Sequence, residues 1–155
     1  MERRERSCVE NKKHDDTERL LRECNAGIKM GISSIDEVLP SVTDQRLRDI
    51  LEESRSEHAD LGDVTHELLI KYDCDTKEPH PFVKGMSWLK TGVTLKLDPG
   101  DKTVASLMTD GCHMGVKSIN GYLNQYGLAD SKARKIAQDL IDIEQRMADS
   151  LAEFL

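Results

Sequence analysis

One stretch of the chain, Gly27-Ile28-Lys29-Met30-Gly31-Ile32-Ser33-Ser34-Ile35, returns as Gly111-Cys112-His113-Met114-Gly115-Val116-Lys117-Ser118-Ile119. Both copies read Gly-x-x-Met-Gly-(Ile/Val)-x-Ser-Ile, and each is followed by a short break and a second amphipathic stretch. A repeat of this kind constrains the fold strongly. Each unit has one apolar face that it cannot bury alone, so the two copies must close on each other. The expected arrangement is two similar hairpins related by a pseudo-two-fold axis.

The hairpins are expected to be helical. From Thr17 to about Leu39 the apolar or small residues Leu21, Cys24, Ile28, Gly31, Ile35 and Val38 fall at alternate spacings of three and four, and Pro40 stops the pattern. Thr43 or Asp44 then caps a second helix whose inward stripe includes Leu47, Leu51, Ser54, His58, Leu61 and Thr65, continues to Leu68 and Tyr72, and is widened by Ile50 and Val64. A third helix is expected from about Lys102 to Tyr126, closed by a left-handed Gly127, and a fourth from Ser131 to the C-terminus with Ala133, Ala137, Leu140, Glu144, Met147 and Leu151 inward. Between the hairpins, Asp73 to Asp101 breaks the period. Pro79 and Pro81, the apolar stretch around Trp88, and Asp98-Pro99-Gly100-Asp101 read as a long connector containing a short helix. Two short-looped hairpins joined by a connector of that length imply an all-α four-helix bundle with one long crossover, its first and third helices antiparallel, and likewise its second and fourth.

Composition agrees and limits function. At 155 residues, 33% charged and 4% aromatic, the chain suits one amphipathic helical domain. Residues 1–16, rich in charge and including Arg3, Arg4 and Arg6, are expected as a flexible charged arm or frayed helix start, with residues 17–155 forming the single bundle domain. A formal charge of −7 argues against a nucleic-acid partner. No uncharged run reaches membrane-spanning length. Cys8, Cys24, Cys74 and Cys112, scattered and without a leader sequence, are expected to stay reduced in the cytoplasm.

Paired hairpins with one long crossover resemble the ferritin-like (rubrerythrin-like) bundles. The Gly-x-x-Met-Gly repeats, together with Met86-Ser87-Trp88-Leu89-Lys90, resemble a family of small bacterial proteins placed among those bundles, to which no activity is assigned. The resemblance implies the fold, and it also supplies a test. A ferritin-like di-iron site takes a Glu from the first and third helices and a Glu-x-x-His from each of the other two. Here the repeat pairs Glu37 with Gly121 and Glu23 with Leu107, and the nearest approach to the motif is Asp63-x-x-His66. A full di-iron centre is therefore not expected.

A partial constellation remains. His58 and Glu144 occupy near-equivalent inward positions of the second and fourth helices, with Glu57 beside His58. Two readings stand: Glu57, His58 and Glu144 hold a metal, iron or zinc by the chemistry of the donors, or His58 and Glu144 form a buried pair that fixes helix register. The repeated glycines read as sites of close helix approach or as space for a ligand, and Met30 and Met114 as core fillers or soft ligands. His113 falls on the polar side of its helix, so Cys112-His113 is not expected to form a nucleophile and base, and Cys24 and Cys112 read as small buried hydrophobes. Trp88 is expected to anchor the connector against the bundle or, with Phe82, Met86 and Leu89, to form an apolar surface for a partner. The expected function is a non-enzymatic bundle acting as a homodimer or with a protein partner and needing no cofactor; the alternative is a degenerate ferritin-like protein with a metal or small ligand in its core.

Overall fold

The computed structural model describes residues 2–72, 98 and 100–155. Four helices make up the bundle: α1 (Glu2–Val38), α2 (Gln45–Lys71), α3 (Asp101–Gln125) and α4 (Ser131–Leu151). No strand occurs among the described residues. The expected connector helix and Trp88 lie outside them.

Each hairpin is punctuated by its own chemistry. Pro40 opens a single 3-10 turn (Leu39–Ser41) that ends α1. Asp44 caps α2 by accepting the Leu47 N–H at 2.9 Å, and Asp130 caps α4 by accepting the Ala133 N–H at the same distance. Gly127 does not provide the expected left-handed stop, because Gly100 is the positive-φ glycine among the described residues. Instead α3 ends where Tyr126 leaves helical geometry at φ −102°, ψ 55°, its N–H still donating to the Tyr122 carbonyl.

The duplication is written into the burial pattern. Along the first helices, Leu20, Leu21, Cys24, Asn25, Ile28 and Ile35 are buried, and so are their repeat partners Val104, Ala105, Met108, Thr109, Cys112 and Ile119. Along the second helices, buried Leu47, Leu51, Ser54, His58, Leu61 and Thr65 match buried Ala133, Ala137, Leu140, Glu144, Met147 and Leu151. The spacing along the chain is constant within each set. It is two residues larger for the second set, because α3 continues to Gln125, past the position that matches the end of α1.

Reciprocal clasps hold the hairpins in register. At one end the Asp101 carboxylate accepts the Thr43 N–H at 2.8 Å, the Thr43 hydroxyl at 2.6 Å and the Asp44 N–H at 3.0 Å. At the other, Asp16 accepts the Leu128 N–H at 3.0 Å and Thr17 Oγ1 accepts the Asp130 N–H at 2.9 Å. In both cases a residue of one hairpin's first helix satisfies backbone donors in the other hairpin's turn, where no helical partner exists for them. The clasps also make α1 antiparallel to α3. Tyr72 donating to Asp130 at 2.5 Å and Arg46 paired with Glu153 at 2.9 Å do the same for α2 and α4. Tyr72 and Asp101 thus sit at opposite ends of the bundle, as a single long crossover requires. The hydrogen bonds to Asp101 hold its carboxyl below the ordinary 3.8. That contribution is present above the ordinary value and lost as pH falls through the folded one. Asp101→Ala is expected to cost about 1 kcal/mol in denaturant unfolding at neutral pH, and less under acid.

The start of α1 differs from expectation. Helix begins at Glu2 rather than near Thr17, so most of the segment read as an arm continues α1. Residues 5–15 are exposed, but the His14 ring packs at a tilt against Tyr72 with centroids 5.1 Å apart and Asp16 is buried in the clasp. A second difference is the α2 stripe, which buries Leu69 while Leu68 is half-buried and Val64 is 49% exposed. A straight helix turns every 3.6 residues, and a strict heptad drifts off its face after three turns.

Candidate functional site

The apolar core forms two clusters, one including Leu20, Leu69, Ile136 and Leu140, the other including Val38, Leu47, Val104 and Leu151. Between them lies a polar layer. On α2, His58 falls between Leu51 of one cluster and Leu61 of the other; on α4, Glu144 falls between Leu140 and Met147. His58 is fully buried and Glu144 is 7% exposed.

These two side chains meet. His58 Nε2 lies 3.1 Å from Glu144 Oε1, and His58 Nδ1 lies 2.8 Å from the Ser54 carbonyl oxygen. A carbonyl can only accept, so Nδ1 carries a proton and donates it. The proton on the other side of the ring is then shared between Nε2 and the carboxylate, which leaves the pair neutral overall. Burial pushes the His58 pKa down, but the hydrogen bond and charge of Glu144, the Ser54 carbonyl and the charge of Glu57 outweigh it, so the net shift is upward from 6.5. The imidazolium–carboxylate form is the one this environment favours.

The repeated glycines make room for the pair. A Cβ on Gly31 would come within 2.6 Å of His58 Nε2 and 2.7 Å of its Cδ2. Its repeat partner Gly115 lies over the other member, where a Cβ would meet Glu144 Cδ and Oε1 at 3.3 Å. By contrast a Cβ on Gly111 would meet nothing within 4 Å, and one on Gly27 would make ordinary contact with Leu140 at 3.4 Å. Close approach is thus the role of one glycine in each copy, and what approaches is the polar side chain of the second helix.

Around the pair, Cys112 on α3 is buried, and burial with the charge of Glu144 pushes its thiol far up. Burial likewise pushes Cys24 up to about 12. Neither supplies a thiolate at neutral pH. His113 is exposed, and Met114 is 60% exposed, so Met114 neither fills the core nor faces Met30 inside it.

Of the three residues expected to share a site, the structure brings His58 and Glu144 together and places Glu57 elsewhere. Glu57 turns outward and binds Arg146 at 2.5 Å across the α2–α4 surface. Adjacent residues on a helix point ~100° apart, so Glu57 and His58 cannot both face the axis. No group of three or more His, Cys, Asp or Glu side chains able to hold a metal occurs among the described residues. The two donors that meet are bonded to each other, and the remaining imidazole nitrogen is taken by Ser54. Ser54, Gly31 and Gly115 complete the layer; their signal in the sequence was stripe position and repeat phase.

The outer face of α2 and α4 carries a groove of about 360 Å³. Leu61, Val64 and Ile143 line its floor, while Glu57, Asp60, Asp139 and Asp142 rim it together with Arg146. No helix among the described residues is long and apolar enough to cross a membrane. Compared with protein families, curated proteins and solved structures, the chain finds no match in any of the three.

Proposed function

We propose that this chain is a non-enzymatic helical bundle that acts through its surface, by self-association or by binding a protein partner. The observation that carries this reading is the α2–α4 groove, lined by Leu61, Val64 and Ile143 together with four carboxylates, with Val64 as its exposed apolar residue. Val64, 49% exposed there, is the residue a partner would cover. The core supports the same reading, since His58 and Glu144 satisfy each other and Cys112 stays a thiol. Two antiparallel hairpins support the ferritin-like resemblance at the level of topology. A cytoplasmic location belongs to the same reading and rests on four scattered cysteines with no Cys-x-x-Cys pair.

A second reading, a degenerate ferritin-like protein with iron or zinc at His58 and Glu144, is favoured by the placement of both donors in the bundle's central layer. One measurement separates the two. Elemental analysis of protein purified without chelator is expected to give substoichiometric iron and zinc; a stoichiometric metal that disappears in His58→Ala would establish the second reading instead.

A further inference from the structure

We infer that the acidic groove between α2 and α4 takes the N-terminal extension of α1 from a second copy of this chain; the inference rests on the surface reading above and names the occupant. The extension is one continuous helix with the rest of α1, and residues 5–13 are exposed. Residues 2–13 carry Arg3, Arg4, Arg6, Lys12 and Lys13 against Glu2, Glu5 and Glu10, a basic excess within a chain whose net charge is −7. Val9, 57% exposed, sits one helical turn from Arg6, Lys12 and Lys13.

The groove is the complement of that segment. Glu57 is paired with Arg146 and Asp139 with Lys135, so Asp60 and Asp142 carry the acidic charge that remains along the groove. Exposed Val64 on its floor offers an apolar contact for Val9. At 1.5 Å per residue the extension reaches about 18 Å, longer than the two turns of groove. It cannot serve its own groove. Because α1 is unbroken and leaves the bundle at the end marked by Tyr72 and Asp130, its extension runs away from the α2–α4 face that it would have to cover. A neighbour's groove is an acidic surface open to it, and the contact is of the heterologous kind, one patch on a different patch.

Charge reversal on the full chain tests this. Wild type at low salt is expected to gain mass with concentration in sedimentation equilibrium, and to lose that gain as salt shortens the screening length. Asp60→Lys with Asp142→Lys should hold the chain at single-chain mass, as should Arg6→Glu with Lys13→Glu, both with wild-type circular dichroism. An equimolar mixture of the two double variants should recover association, since one supplies an intact extension and the other an intact groove. Single-chain mass for wild type at every concentration overturns the second copy as occupant and leaves the surface reading standing. Association that survives both reversals, or cross-links from the groove confined to one chain, overturns it too. A stoichiometric metal in the analysis above would instead remove the reading underneath.

Discussion

Gly31→Ala is expected to destabilise the protein by about 2–3 kcal/mol in denaturant unfolding, although alanine is the better helix former. The added methyl would overlap the His58 ring, at 2.6 Å from Nε2. That ring is not a flexible tip free to swing aside. Ser54 holds one nitrogen and Glu144 the other, so the clash must displace α1 or break a buried hydrogen bond. The same substitution at Gly111 and Gly121, where a Cβ meets nothing within 4 Å, should be neutral or stabilising by about 0.5–1 kcal/mol through the unfolded chain. Gly115→Ala should fall between, because Glu144 at 3.3 Å has only tenths of an ångström to give. In a His58→Ala background the Gly31→Ala penalty should largely disappear, a coupling that a double-mutant cycle reads directly. Equal effects at Gly31 and Gly111 would mean that the repeated glycines do not serve the polar layer.

The second large effect comes from breaking the pair. His58→Ala leaves the Glu144 carboxylate buried without its partner, and a loss of about 3–5 kcal/mol is expected in thermal or denaturant unfolding. Replacing both partners together, His58→Leu with Glu144→Leu, should cost far less, because two apolar side chains leave no orphaned charge. The pair also sets a pH dependence. Folding raises the His58 pKa above 6.5, so the contribution is fully present below that value and lost as pH rises through the folded one. Stability measured from about pH 6 upward should therefore decline on the alkaline side in wild type and lose that component in the double-leucine variant. A wild-type slope retained there would assign the titration to another group.

Much of this was readable from the chain because the repeat and the helical period reinforce each other. The inward stripes and the antiparallel pairing follow from residues whose spacing admits one face, and the α2 cap was legible as Thr43 or Asp44. His58 and Glu144 were readable as a pair for the same reason: each occupies the same station of its hairpin. What failed did so where periodicity carries no information. The first sixteen residues are charged on every side, so no stripe marked the helix that runs through them. Met114 matches Met30 in the repeat, yet repeat identity does not fix exposure when one position turns to solvent. Glu57 was a misjudgement of rotation, since its neighbour His58 already claimed the inward direction. The glycines were legible as small residues, but which of them faced a polar side chain depended on how the paired helices are rotated against each other, and no sequence spacing states that.

The account turns on a proton at His58 Nδ1 given to Ser54 and a second shared with Glu144. Nitrogen NMR of the His58 imidazole, assigned by its loss in His58→Ala, examines both sides of the ring at once. The expected spectrum at about pH 6 shows a protonated Nδ1 in slow exchange with water and a protonated Nε2 as well. An Nδ1 without its proton, or one nitrogen bound to a metal, would contradict the closed pair on which the two hairpins meet.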